Sequence, residues 1–137
     1  MVFVLDGSGS VLEPNWQKEL LLASNVTEAF NIGKGQGDSR IGVVPYSSGS
    51  PSASLVIKLD RYFSANRLKE AIQSIEYPTG GTYTGKALDY TTTTLFTPSG
   101  GARDTTKGVP RVIVVVTDGQ STDSVDAPSK RARDAGI

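Results

Sequence analysis

Apolar runs along the chain alternate with segments in which apolar residues recur every three or four positions. Residues 2–5 are apolar without interruption, and the Gly- and Ser-rich string at residues 6–10 ends them. This pattern predicts a buried strand that delivers Asp6 to its C-terminal end. Apolar residues at helical spacing then run from Pro14 until Gly33, which predicts an amphipathic helix with proline in its first turn.

Two further apolar runs, residues 40–46 and 54–59, lie on either side of a Ser-, Gly- and Pro-rich segment. Strand candidates separated in this way predict an antiparallel hairpin. Ser64 is placed to cap a helix whose apolar face is Leu68, Ile72 and Ile75, and Pro78 follows that helix.

The last third of the chain predicts helix, strand and helix. Residues 84–96 have helical spacing, although a run of four threonines from Thr91 has poor helix propensity. Residues 112–116 are apolar without alternation, as in a central parallel strand covered on both faces, and they deliver Asp118 to the strand's C-terminal end. Residues 127–135 predict a final helix with a polar face.

Alternating strands and helices predict one α/β domain over residues 1–137, with a Rossmann-like, mostly parallel sheet, one antiparallel edge strand and helices on both faces. Ligands of such sheets bind beyond the C-terminal ends of the strands. Asp6 and Asp118 are both expected at that edge.

The composition excludes several functions. The 14 basic and 14 acidic residues cancel, so no overall field attracts nucleic acid or an anionic membrane. The chain contains no histidine and no cysteine, which excludes Ser-His-Asp and Cys-His catalysis and the usual zinc sites. No apolar run is long enough to cross a membrane, and the chain starts inside a strand without a signal peptide, as an excised fragment would. A metal bound here would need oxygen ligands.

Oxygen-bearing side chains recur at every second position in Asp6, Ser8 and Ser10. The glycines between them are expected to let the backbone curl so that all three side chains point inward. A helix-capping turn is the simpler interpretation of these three residues considered alone.

A phosphate-binding loop is an alternative function for residues 80–86, which satisfy the G-x-x-x-x-G-K pattern. Ala87 stands where a Ser or Thr should hold Mg²⁺, and Pro78 lies in a segment that should be an apolar strand. Nucleotide hydrolysis is therefore the weaker hypothesis.

Three strings closely resemble the metal loops of von Willebrand factor A domains, in the same order: residues 2–11, 80–88 and 114–121. The resemblance implies that five residues form a metal-ion-dependent adhesion site, namely Asp6, Ser8, Ser10, Thr82 and Asp118. Three hydroxyls and two carboxylates are hard ligands that favour Mg²⁺, with Ca²⁺ or Mn²⁺ as alternatives.

The resemblance also implies function. Because two carboxylates do not neutralise the surroundings of a bound cation completely, an Asp or Glu of a partner protein is expected to complete its coordination, without catalysis. The third string and the end of the chain look most like matrilins and collagens, so the expected role is extracellular adhesion or matrix assembly, with collagen as one candidate partner. Two alternatives remain: an intracellular assembly module of a chelatase- or AAA-type complex, and a matrix module that binds through a metal-independent face.

Members of this family continue beyond a Gly-Ile pair such as the one at residues 136–137 into another strand and a final helix. The domain is therefore expected to be shortened at both ends. The sheet edge beside residues 112–116 is expected to lack a partner strand.

Overall fold

A computed structural model describes all 137 residues. Its sheet has three parallel strands in the order β2-β1-β3: β1 is Val2–Asp6, β2 is Gly42–Tyr46 and β3 is Ile113–Val116. In the register of the sheet, Val4 of β1 lies opposite Val44 on one side and Val115 on the other. The parallel α/β architecture that the sequence predicts is confirmed.

Four α-helices cover the two faces of the sheet: α1 is Glu13–Thr27, α2 is Ala65–Gln73, α3 is Thr84–Tyr90 and α4 is Asp126–Asp134. Alternate residues of β1 supply two separate cores. Phe3 and Leu5 pack in one cluster with the buried faces of α1 and α2. Val2 and Val4 pack in the other with Ala87 of α3, and α4 lies against α3.

The predicted hairpin is reduced to a single antiparallel bridge. Val43 and Ile57 exchange two backbone hydrogen bonds of 2.9 Å, and no strand forms around Ile57. The next hydrogen-bonded pair toward the turn would use the N–H of Pro45, which proline lacks. In the other direction, the N–H of Leu59 donates to the carbonyl of Gly100 at 3.0 Å instead. The antiparallel edge strand therefore cannot extend.

The prediction that residues 112–116 form a central strand covered on both faces is wrong for this structure. β3 pairs only with β1, and Val115 is 39% exposed. The central strand is β1, whose five residues are all buried. An apolar run indicates that a strand favours burial but does not specify its neighbours. The other side of β3 has no partner strand, as the resemblance implied.

Residues 84–96 form two helical segments where the pattern predicts one. α3 ends at Tyr90, and Thr91–Leu95 forms a π-helical turn. The hydroxyls of Thr91, Thr92 and Thr93 donate to the carbonyls four residues earlier, at 2.8, 2.9 and 2.7 Å. Hydroxyls that bond these carbonyls compete with the regular backbone hydrogen bonds and distort a helix.

Two helix ends differ from their predictions. α1 ends at Thr27, before the predicted limit at Gly33, and the Thr27 hydroxyl bonds the carbonyl of Ser24 at 2.6 Å. Ser64 does precede α2, but its side chain makes no capping hydrogen bond. None of the helices combines the length and the apolar character required to cross a membrane.

Candidate metal centre

Three loops meet above the C-terminal ends of the strands. Asp6 ends β1 and is fully buried, while Ser10 and Asp118 are exposed. The N–H of Gly9 donates to the carbonyl of Gly80 at 2.8 Å and joins the first loop to the second. The N–H of Thr122 donates to the carbonyl of Thr82 at 2.6 Å and joins the second loop to the third. Main-chain hydrogen bonds thus hold the three predicted metal loops together.

Four of the five predicted ligands form one continuous hydrogen-bond chain. The N–H of Ser8 donates to Oδ1 of Asp6 at 2.9 Å. The hydroxyls of Ser8 and Ser10 are 3.1 Å apart, and the Ser10 hydroxyl donates to Oδ1 of Asp118 at 3.1 Å. The fold therefore brings these residues to one place, as the sequence predicts.

Thr82 is the predicted ligand that stands apart. Its side chain is partly exposed and makes no hydrogen bond to the other four residues. Its carbonyl accepts a hydrogen bond from the N–H of Thr122 at 2.6 Å. The loop contacts fix the Thr82 backbone beside the site, and coordination by its hydroxyl stays a prediction.

The oxygen positions fit a small divalent cation. Octahedral Mg²⁺ bonds oxygen at about 2.1 Å, which puts neighbouring ligand oxygens about 3.0 Å apart. The Ser8–Ser10 and Ser10–Asp118 oxygen separations are both 3.1 Å. No three acidic, His or Cys residues cluster as metal ligands anywhere in the chain, so hydroxyls would have to supply much of the coordination of a cation bound here.

Thr117 is a member of this network that sequence reasoning missed. Its hydroxyl donates to Oδ2 of Asp6 at 2.7 Å, so both carboxylate oxygens of Asp6 are oriented. The sequence did contain a signal, namely the position of Thr117 directly after β3, because a residue there lies at the same edge of the sheet as Asp6. Outer residues that bond a ligand commonly orient it and tune its affinity for metal.

Tyr46, at the end of β2, adds a neutral hydroxyl beside Asp6. Burial raises the pKa of Tyr46 to about 12, and the charge of Asp6 acts in the same direction. Its hydroxyl lies 3.0 Å from that of Thr84, the first residue of α3. The phenol therefore stays protonated and ties β2 to the second loop.

Glu19 is a buried acid near the site that the ligand motif did not reveal. Only 9% of the residue is exposed, and its Oε2 atom has no hydrogen-bond partner. Burial, followed by the negative charge of Asp6 and a smaller effect of Asp118, raises the pKa of Glu19 to about 8. The sequence did contain a signal, because Glu19 lies three residues after Trp16 and four before Ala23, both on the buried face of α1.

The first loop brings the Ser8 and Ser10 hydroxyls together without a left-handed glycine, since neither Gly7 nor Gly9 has a positive φ. Gly7 is needed for space, because a Cβ atom there would lie 2.4 Å from Cδ of Pro78. The positive φ, 63°, belongs to Leu12, just before α1. The left-handed residue thus lies at the start of α1, and Gly7 permits close packing of Pro78, which precedes the second loop.

The N-terminus of α3 is capped by the third loop. Ser121 accepts a hydrogen bond from the N–H of Thr84 at 3.1 Å, and Asp123 accepts from Gly85 and Lys86 at 2.9 and 2.8 Å. Burial acts to raise the pKa of Asp123, but hydrogen bonds from the Ser121 hydroxyl and these two N–H groups hold it below its ordinary value.

This capping contradicts the phosphate-loop hypothesis. The N–H groups that would have to face a phosphate already bond side chains of the third loop. In addition, no strand precedes Gly80. Lys86 instead lies over the ring of Tyr83, 4.5 Å from its centroid.

The chain is similar in sequence to collagen, matrilin and cuticlin chains. The chain is 39% identical over 131 residues to the collagen alpha-5(VI) chain of Homo sapiens, covering 96% of this chain and 5% of that protein. It is 34% identical over all 137 residues to Matrilin-1 of Gallus gallus, of which it covers 27%, and 33% identical to Cuticlin-6 of Caenorhabditis elegans, of which it covers 22%. The chain thus spans less than a third of the length of these relatives.

The fold is also that of a solved structure, the proximal thread matrix protein 1 of the mussel byssus with a zinc-occupied MIDAS motif. The TM-score is 0.85 at 23% identity, over 98% of this chain and 35% of that one. The sequence profile of the von Willebrand factor type A domain matches residues 1–137. From this match and its relatives, the chain belongs to the von Willebrand factor type A domain family.

Proposed function

We propose that this domain is a magnesium-dependent protein-binding module, and not an enzyme, in which an acidic side chain of a partner completes the coordination of the bound cation. The observation that carries the proposal is the hydrogen-bond chain from Asp6 through Ser8 and Ser10 to Asp118. Its oxygen spacings of 3.1 Å are compatible with the edge of an Mg²⁺ octahedron, and its hard oxygen donors are of the kind that Mg²⁺ prefers. Mn²⁺ is the alternative cation of similar coordination chemistry.

The exposure of the site supports a partner's access. Asp6 is buried, but Ser10 and Asp118 are exposed at the end of the chain of oxygens. Carboxylates are hard oxygen donors of the kind that Mg²⁺ accepts, and because the hydroxyls of the site are neutral, its two carboxylates are expected to leave the cation incompletely neutralised. An approaching Asp or Glu therefore gains electrostatic stabilisation from the cation.

The relatives support a matrix role. Collagen and matrilin chains at 31–39% identity suggest an extracellular domain whose partners are matrix proteins, with collagen as the first candidate. The likeness to a magnesium chelatase complex, at 17% identity and a TM-score of 0.66, extends to the fold alone. It does not favour an intracellular assembly role.

The first experiment is calorimetric titration of Mg²⁺ into the wild type and the Asp6→Asn and Asp118→Asn variants, with Glu70→Gln as control. Glu70 is exposed on α2, away from the three loops, so the control loses the same charge. We expect both site variants to lose Mg²⁺ binding and the control to retain it. Circular dichroism confirms that each variant is folded.

The second experiment measures binding of the wild type to immobilised collagen in Mg²⁺ and in EDTA. Binding that requires Mg²⁺ and is abolished in Asp118→Asn supports the proposal. Mg²⁺ binding combined with EDTA-resistant adhesion would favour a metal-independent face. Absence of Mg²⁺ binding in the folded wild type contradicts the proposal.

A further inference from the structure

A cavity of about 430 Å³ lies at the opposite end of the sheet from the metal centre. Its walls come from the segments that lead into the strands: Met1 before β1, residues 36–41 before β2 and residues 107–112 before β3. A five-residue strand spans roughly 17 Å, so the length of the strands separates the two sites. The cavity volume is in the range of small-ligand pockets.

Cationic side chains dominate the polar part of this basic cavity. Arg40, Arg103, Lys107 and Arg111 line it, and Asp38 is the only acidic residue in its wall. The Asp38 carboxylate is already occupied, because its oxygens accept from Asn31 at 2.6 Å and from the N–H of Gly35 at 2.7 Å. In a chain of zero net charge, the basic cavity is a local concentration of positive charge.

The three arginines form no ion pair, although the charge of Arg111 is felt by the exposed carboxylate of Asp104, whose pKa is lowered chiefly by hydrogen bonds from Thr106. The ion pairs of the chain are Lys69–Glu28, Lys130–Asp134 and Arg131–Asp89, none of which includes them. Their guanidinium groups donate hydrogen bonds only to main-chain carbonyls. Arg40 donates to the carbonyl of Gly101 at 2.7 Å. Arg111 donates to the carbonyls of Phe96 at 3.3 Å and Arg103 at 2.8 Å, while the guanidinium of Arg103 donates to the carbonyls of Gln36 and Asp38.

Two N–H donors of these arginines have no acceptor. The Nε atoms of Arg40 and Arg103 are buried and have no hydrogen-bond partner. A half-buried guanidinium without a counter-ion is costly, and the negative charge of an anion bound in the cavity would offset that cost. The planar guanidinium also matches the two oxygens of a carboxylate.

The rest of the wall is apolar. Phe30, Ile41, Leu59, Phe96 and Val112 line the basic cavity together with its cationic side chains. A wholly polar anion such as sulfate would leave this apolar surface in contact with water. A ligand that carries an apolar group beside its charge would bury it.

We propose that the basic cavity binds a carboxylate carried on an apolar body, independently of the metal centre. Such a group has two sources, a free carboxylic acid or an acidic side chain beside an apolar residue in a peptide. The proposed function requires a carboxylate at the metal centre as well. The basic cavity is therefore tested in EDTA, where the metal centre cannot contribute.

The experiment follows amide chemical shifts of the 137-residue chain by NMR in EDTA during titration with four probes. N-acetyl-phenylalanine carries a free carboxylate, and N-acetyl-phenylalanine amide is its neutral counterpart. The dipeptide acetyl-Asp-Phe-amide represents the peptide source, and inorganic sulfate represents an anion without an apolar group. We expect saturable shifts around Gly37, Gly101 and Gly108 from one or both carboxylates, with at least tenfold weaker binding of the amide and of sulfate.

Variants test the named side chains. Lys107→Gln removes an exposed charge that holds no other group, and Arg111→Gln removes a half-buried one. Each is expected to weaken carboxylate binding about tenfold or more, while the matched control Arg67→Gln, exposed on α2, leaves it unchanged. Lys107→Gln keeps the test valid if Arg111→Gln fails to fold.

Four results would overturn the proposal. They are equal affinity for N-acetyl-phenylalanine and its amide, sulfate binding as strong as carboxylate binding, no saturable shifts with either carboxylate, and equal weakening in Arg67→Gln. Binding of only one carboxylate probe supports the proposal and identifies the source. None of these outcomes depends on whether the domain binds Mg²⁺, so the two proposals can fail separately.

Discussion

Ser10 donates a hydrogen bond of 3.1 Å to Asp118, although 108 residues separate them in the sequence. Ser10 belongs to the loop after β1 and Asp118 to the loop after β3. The two strands are neighbours in the sheet, so their C-terminal ends are adjacent. This single contact joins the first and third predicted metal loops through the side chains that are expected to bind the cation.

Ser10→Ala is expected to weaken Mg²⁺ binding at least about tenfold, the scale on which lost ligands and outer-shell partners affect metal affinity. The Ser10 hydroxyl is the centre of the oxygen chain, between Ser8 and Asp118. Because Ser10 is exposed, the free energy of unfolding in EDTA should change by less than about 0.5 kcal/mol. Calorimetry and urea denaturation measure the two effects.

The control for Ser10→Ala is Ser54→Ala, which removes an exposed serine hydroxyl in the segment after β2. Its Mg²⁺ affinity should equal that of the wild type. Unchanged affinity in Ser10→Ala would remove Ser10 from the ligand set.

Glu19→Gln is expected to change the pH dependence of stability in EDTA. The pKa of Glu19 is raised from 4.5 to about 8, so the folded protein keeps a proton that the unfolded chain releases. Between these two pKa values, stability therefore falls as pH rises, by at most about 1.4 kcal/mol per pH unit. The glutamine variant should lack this decline and be more stable than the wild type near pH 8.

Urea denaturation at a series of pH values checks this expectation, with Glu70→Gln as the matched control. Glu70 lies exposed on α2, and its replacement should leave the pH dependence of stability intact. A parallel decline in Glu19→Gln and wild type would show that Glu19 is not responsible.

Asp123→Ala is expected to lower the free energy of unfolding by about 1–2 kcal/mol, because Gly85 and Lys86 lose the charged acceptor that caps α3. The pKa of Asp123 is below its ordinary value of 3.8. Its contribution is therefore complete above that value and is lost as pH falls through the lower pKa of the folded state. The variant should lose less stability than the wild type on acidification.

The comparison for Asp123→Ala is Asp104→Ala. Asp104 caps a short surface turn by accepting from the N–H of Thr106 at 2.8 Å, far from α3 along the chain. Because Asp123 holds the second and third loops together, its replacement should also weaken Mg²⁺ binding in calorimetry. Asp104→Ala should leave Mg²⁺ affinity unchanged, and an equal loss in both variants would contradict a specific role for the cap.

Gly85→Ala is expected to destabilise the domain by about 1–3 kcal/mol, the usual cost of forcing an atom into filled space. A Cβ atom there would lie 2.2 Å from the carbonyl oxygen of Ser124, so the third loop must move. Gly37→Ala is the control, since nothing lies within 4 Å of its added Cβ. Thermal unfolding compares the two, and equal midpoints would show that the loops can separate without cost.

The sequence predicted most of the parallel architecture correctly because the information is local. Burial explains both patterns. Residues 2–5 are buried on both faces of the sheet, and the helix after Pro14 buries one face, so its apolar residues recur at helical spacing. Its errors concern pairing. Pro45 ends the antiparallel ladder, and β3 lies at the edge of the sheet. Neither result can be predicted from the hydrophobicity of a single segment.

The candidate site divides in the same way. The sequence by itself predicted Asp6, Ser8, Ser10, Thr82 and Asp118 as one site, because strand ends and the three family-like loops can be recognised one segment at a time. The structure joins four of these residues in one hydrogen-bond chain. Only the tertiary structure decided that Thr117 orients Asp6, that Glu19 is buried close to the site, and that four arginine and lysine side chains surround a cavity at the opposite end of the sheet. These relationships depend on distances between segments that are far apart in the chain, and such distances are set by packing.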